Sequence, residues 1–167
     1  WVSRERSLGA KLQFYPYSSA LGAVMVPAAS PVRTLADLKG RKLAVAGGAI
    51  DKNWLLLQAA LKQDGVDLKS QATIVYGAPP LLAAKTLGGE MDATLNYWNF
   101  CAALEAKGFR RLAGMEEILQ KLGSKGRIAM IGYVFDEAWA GANKDLVARF
   151  IAVTRAAKEV LATSDAE

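Results

Sequence analysis

The sequence predicts an α/β protein, with a mostly parallel sheet and helices on both faces, built as one complete lobe plus a partial second lobe. Three observations carry this. Short apolar runs alternate with stretches of helical period, which makes βαβ units and hence parallel pairing. Glycine or proline pairs mark the junctions, at Gly47-Gly48, Pro79-Pro80 and Gly88-Gly89. The 167 residues, 52% apolar and 22% charged, fit one domain or two small lobes with an ordinary core.

Leu12–Tyr15 reads as a strand closed by Pro16, and Leu21–Val26 as a second closed by Pro27. Pro31–Gly40 reads as a loop with one helical turn, capped by Thr34 with Asp37 three residues on. Lys42–Ala46 is a buried strand, Gly47-Gly48-Ala49 breaks it, and a helix runs from Asp51, a good N-cap, to Gln63. Then follow strand Ala72–Tyr76, helix Pro79–Leu87, strand Met91–Asn96, helix Asn99–Lys107, strand Phe109–Ala113 and helix Met115–Leu122. Proline is tolerated in a first helical turn, which places Pro79-Pro80 at a helix start. Ile128–Phe135 is the last strand, and Asn143 is expected to cap a long amphipathic helix, Lys144–Thr163.

Composition excludes much chemistry. The chain has no histidine, so neither a Ser-His-Asp nor a Cys-His centre can form. One cysteine and no histidine cannot supply an ordinary zinc site. Cys101 reads as a small buried apolar residue. We therefore expect no catalysis, no metal and no cofactor. The balance is basic, 21 Lys and Arg against 16 Asp and Glu, but the cations are scattered through solvated turns. This argues against nucleic acid and favours small anions. The apolar run Ala20–Ala29 is too short to span a bilayer.

Ligands of parallel sheets sit beyond the carboxyl ends of the strands. That rule singles out Gly47 to Trp54, Tyr76 to Pro80 and Asn96 to Asn99. Gly47 and Gly48 let backbone approach a ligand, the helix start after them favours an anion, and Lys52 adds a cation. The bland alternative is a bare strand-to-helix turn with Trp54 in the core. Asn96, Tyr97 and Trp98 combine amide and aromatic groups suited to a polar organic molecule. The alternative there is that Trp98 and Phe100 pack under the next helix. We expect Gly47, Gly48 and Lys52 to face Asn96 and Trp98 across one cleft, with Ser18 and Ser19 on the opposing rim. Arg33 and Arg127 are expected to flank hinge strands, leaving no arginine in the cleft.

Ser30-Pro31-Val32-Arg33-Thr34-Leu35-Ala36-Asp37-Leu38-Lys39-Gly40-Arg41-Lys42-Leu43-Ala44-Val45 resembles the lead-in to the second lobe of type II periplasmic solute-binding proteins. Gly47-Gly48, then Pro79-Pro80-Leu81-Leu82-Ala83-Ala84, then Leu87-Gly88-Gly89-Glu90-Met91-Asp92-Ala93 match the order seen in the nitrate/sulfonate/taurine group. Lys144-Asp145-Leu146-Val147-Ala148-Arg149-Phe150 looks like that group's late helix. The resemblance covers Leu12 to Ala162. It implies ligand capture between two lobes, delivery to an ABC transporter permease, and a periplasmic location. It also implies Ser18, Ser19, Gly48, Lys52, Asn96, Trp98 and Tyr133 as cleft positions. A regulator's effector domain shares this fold, as does a pyrimidine-precursor synthase, although that enzyme family uses histidine in its chemistry.

The group normally has a further block before Leu12, and its last elements are longer. Residues 31–127 are thus expected to form a complete lobe two, and residues 1–30 with 128–167 a partial lobe one. Both ends are expected to be cut from a longer protein, with no signal peptide visible. The apolar face of Lys144–Thr163 is then expected to lack cover and to promote self-association.

Overall fold

The computed structural model describes residues 1–163. In chain order the elements are α1 (Val2–Ser7), β1 (Leu12–Ser18), β2 (Ala23–Pro27), a 3₁₀ turn (Leu35–Leu38), β3 (Lys42–Ala46), α2 (Lys52–Gln63), α3 (Leu68–Gln71) and β4 (Thr73–Gly77). They continue with α4 (Pro79–Leu87), β5 (Ala93–Asn96), α5 (Trp98–Glu105), β6 (Phe109–Gly114), α6 (Met115–Lys121), β7 (Ile131–Asp136), α7 (Glu137–Ala142) and α8 (Lys144–Thr163). The chain divides into two compact units, residues 18–131, and residues 1–17 with 132 onward. Residues 164–167, which the sequence assigns to lobe one, lie outside the described residues.

The larger unit is built on a five-stranded sheet in the order β4-β3-β5-β2-β6. β3 runs parallel to β4 and β5. β2 runs antiparallel to both of its neighbours, β5 and β6. Four strands therefore point one way and β2 alone is reversed, a mixed and mostly parallel sheet. The sequence places Leu21–Val26 outside the 31–127 lobe, whereas its pairing puts β2 in the interior of this sheet. The physical reason is burial on both faces. Val24 and Val26 join Leu43, Val45 and Leu95 under Trp54, Leu57 and Leu61 of α2 and Ile118 of α6. Ala23 and Met25 turn to the opposite face, against Cys101 and Leu104 of α5. Fully burying an aliphatic side chain of this size contributes about 1.5–3 kcal/mol, so helices on both faces hold the sheet from either side.

Local chemistry sets the boundaries. The Thr34 turn is a true capping box: Asp37 Oδ2 accepts the Thr34 N–H at 2.8 Å and that of Arg33 at 2.9 Å. These N–H donors hold the Asp37 carboxyl below the usual carboxylate range. Asp51 caps α2 through the N–H groups of Asn53 and Trp54. The cysteine thiol is buried and donates to the Asn96 carbonyl at 3.2 Å. Burial pushes its pKa up, which is the inert behaviour expected of a small core residue.

In the smaller unit β1 and β7 form a two-stranded sheet. An aromatic chain packs α8 onto it: Tyr133 lies 5.0 Å from Tyr17 and 4.8 Å from Phe150, ring centre to ring centre. Lys158 lies 5.0 Å over the Tyr17 ring and donates to that residue's carbonyl at 2.9 Å. The expected last strand, Ile128–Phe135, begins only at Ile131. Asn143 turns its amide back to the Trp139 carbonyl at 2.9 Å, serving the end of α7. No residue of α8 is buried, and Val153, Val160 and Leu161 are largely exposed. Among the described residues, no helix is long and apolar enough to cross a membrane.

Candidate functional site

The register of the larger sheet brings five chain segments to one edge. Ala46 pairs with Gly77 of β4, and Val45 with Leu95 of β5. Ala23, at the start of reversed β2, pairs with Asn96 on one side and Gly114 on the other. The carboxyl ends of β3, β4, β5 and β6 and the segment entering β2 therefore share this edge. Hydrogen bonds tie them together. The Asn53 amide donates to the Leu21 carbonyl at 3.1 Å, and the Met115 N–H to the Gly22 carbonyl at 3.1 Å.

Gly47 and Gly48 form the β3–α2 turn with positive φ, 85° and 103°. A Cβ on Gly47 would overlap the Tyr97 hydroxyl, so this glycine is required by close approach as well as by backbone angle. The start of α2 is not vacant for a ligand anion. Asp51 Oδ1 accepts from Asn53 N at 2.8 Å and from Trp54 N at 3.4 Å, so the protein's own carboxylate fills that position. Lys52 is half-buried beside it. β5 ends at Asn96, whose amide is buried and held internally: Nδ2 donates to the Pro79 carbonyl at 3.0 Å and Oδ1 accepts the Tyr97 N–H at 2.8 Å. Trp98 then opens α5 and is 53% exposed, so it does not pack beneath its helix. Ser18 Oγ accepts the Ala20 N–H at 3.1 Å and shapes the turn. Tyr133 belongs to the smaller unit, where its ring is taken up by Tyr17 and Phe150.

Ser19 and Trp98 line one groove of about 460 Å³, with Gly22, Arg111, Met115 and Arg127 among its other walls. That is within the range of small-molecule sites, about 300–1,000 Å³. The two arginines correct the expectation that none would stand at the cleft. Arg111 is held by Glu105, with Nε to Oε1 at 2.5 Å and Nη2 to Oε2 at 3.2 Å. Arg127 Nε meets Glu116 Oε1 at 3.2 Å. Glu117 is occupied with the Gly114 N–H at 3.0 Å. The first turn of α5 has no side-chain cap, so no side chain of the protein satisfies its first N–H groups. Glu116 and Glu117 line the groove beside the two arginines, so its charges are mixed; an indole face, a serine hydroxyl and paired ionic groups together suit a polar organic molecule.

Gly22 is one of the groove residues absent from the expected site, with Arg111, Met115 and Arg127. A glycine inside a strand pattern marks close backbone approach, and that signal was present between Leu21 and Ala23.

The fold, with a groove at the carboxyl edge of its larger sheet, defines a class, the type II periplasmic-binding-protein fold of ABC-type solute-binding proteins. The chain belongs to the NMT1/THI5-like family, whose model matches residues 15–166. It is 26% identical to the periplasmic aliphatic sulphonate binding protein SsuA from Escherichia coli, with a TM-score of 0.68 over 93% of this chain and 51% of that one. The alkanesulfonate-binding protein SsuA from Xanthomonas axonopodis pv. citri, bound to MOPS, is also 26% identical, with a TM-score of 0.68 over 94% and 52%. The chain thus spans about half the length of these relatives. The desulfurization enzyme DSZB shares the fold at 15% identity and a TM-score of 0.55, over 87% of this chain and 55% of that one. The fold therefore serves an enzyme as well as binding proteins. Comparison with curated proteins gave no significant match.

Proposed function

We propose that this chain is the solute-binding component of an ABC importer, or part of one, and that it holds a small organic anion in the groove beside Trp98. The observation that carries this reading is the groove itself, where an exposed indole and a serine meet two guanidinium groups, each paired with a glutamate that an anionic ligand would have to displace or share. The SsuA proteins, described as binding sulphonates, support the ligand class. A periplasmic location and delivery to a membrane permease go with the reading. The absence of histidine and the buried thiol support binding without turnover. The exposed apolar residues of α8 support a further covering partner, a second copy of the chain included.

Thermal unfolding in the presence of a chemical panel tests this. The panel is MOPS, butanesulfonate, butanoate, butanol and inorganic sulfate. A ligand that binds only the folded state adds about 2.7 kcal/mol at a hundredfold excess over Kd. The organic anions are expected to raise the midpoint with concentration, and butanol is not. A midpoint indifferent to every organic anion at millimolar concentration would remove the reading.

A further inference from the structure

Tyr97 sits between β5 and α5, and its hydroxyl reaches the neighbouring β3–α2 turn. There it donates to Asp51 Oδ2 at 3.0 Å. The other Asp51 oxygen caps α2, and the Asp51 N–H donates to the Gly48 carbonyl at 3.1 Å. One residue thus gathers the glycine turn through its N–H, and the first turn of α2 and the tyrosine through its carboxylate. Gly47 fits beneath the pair because it has no side chain: an added Cβ would overlap the Tyr97 hydroxyl and lie 3.0 Å from Asp51 Oδ2. On the tyrosine's other side the chain passes directly into Trp98, and the Tyr97 N–H is fixed by Asn96 Oδ1 at 2.8 Å.

We propose that Tyr97 is a positioning residue for the groove: through Asp51 its hydroxyl locks the β3–α2 turn to the β5–α5 junction and so fixes the direction in which Trp98 and the start of α5 are presented. The geometry favours this over a role in the core. The ring is only half-buried, and its polar end is directed at a turn instead of at packed apolar residues. Burial and the Asp51 carboxylate push the phenol up to about 12, as expected when the hydroxyl proton is held on a negatively charged acceptor. The folded-state value lies above the unfolded one. The bond's contribution is therefore complete below pH 10 and is lost as pH rises from about 10 to about 12. The proposal rests on the reading that the groove is the binding site, but most of its tests do not.

The variants are Tyr97→Phe, Gly47→Ala and the two combined. In Tyr97→Phe, hydrogen exchange of the Asn53 and Trp54 amides should quicken about tenfold more than that of the central β3 amides, and the Trp98 indole resonance should move. Exchange that rises equally everywhere, or not at all, overturns the proposal. Gly47→Ala should cost less stability in the Tyr97→Phe background than in the wild type, and strict additivity overturns it. The wild-type minus Tyr97→Phe ultraviolet titration should show one phenol ionising near pH 12, whereas ionisation near pH 10 overturns the bond. With MOPS as probe, Tyr97→Phe should bind at least fivefold more weakly, and equal affinity for the two proteins overturns the positioning role. If the wild type does not bind MOPS, that counts against the binding reading, and the exchange, additivity and titration results decide the clasp.

Discussion

Gly22→Ala is expected to lower the stability of the larger unit by about 4 kcal/mol, the sum of two independent costs. The first is backbone strain. Gly22 has φ of 126°, a region that L side chains rarely adopt, and holding another residue there costs about 1–3 kcal/mol. The second is overlap. An added Cβ would fall within the van der Waals envelope of the Asn96 carbonyl oxygen and lie 3.0 Å from the Tyr97 Cα. Both obstacles are backbone atoms, so no side chain can rotate aside. Overpacking of this kind costs roughly 1–3 kcal/mol more. A domain of ordinary stability has only about 5–15 kcal/mol in hand, so the variant should stay folded but lose roughly a quarter to four-fifths of that margin. Urea titration reads the loss directly. A change below about 1 kcal/mol would show that the β2 lead-in does not press on the β5–α5 junction.

Trp98→Ala should behave in the opposite way, with little effect on folding and a large effect on binding. The indole is more than half exposed and opens a helix instead of filling the core. Its removal should change stability by about 0.5 kcal/mol or less. If it is the apolar anchor of the groove, binding of an organic anion should weaken by about 2 kcal/mol, close to thirtyfold in Kd. Calorimetry of the wild type and the variant against MOPS measures the difference. Equal affinities would place the solute elsewhere.

What could be read from the sequence depended on how local the cause was. α4 is bounded by Pro79 at its start and Gly88 at its cap, and both ends were legible. The caps at Thr34 and Asp51 were legible for the same reason, since each is a contact between near neighbours. Helices α1, α3 and α7, of six, four and six residues, are too short to show a period and were not read. The reversal of β2 was not legible because direction in a sheet is decided by partners far along the chain. Its run of buried residues fits any central strand.

The site divides along the same line. Rules for parallel sheets placed the Gly47 and Asn96 segments at one edge, and their strands do lie side by side there. Which atoms remain for a ligand depended on contacts the sequence does not display. Asp51 and Tyr97 are 46 residues apart, and their bond, with the Asp51 cap, fills the start of α2. Arg111 and Arg127 reach the groove only because β6 and the chain after α6 fold back beside the β2 lead-in.

The most direct test is an NMR titration of the wild type with MOPS, following amide, indole and guanidinium resonances. The account predicts saturable shifts concentrated at Ser19, Gly22, the Trp98 indole, the first turn of α5 and the Arg111 side chain. Saturable shifts confined to α3 and β4, or no shift at millimolar MOPS or butanesulfonate, would contradict it.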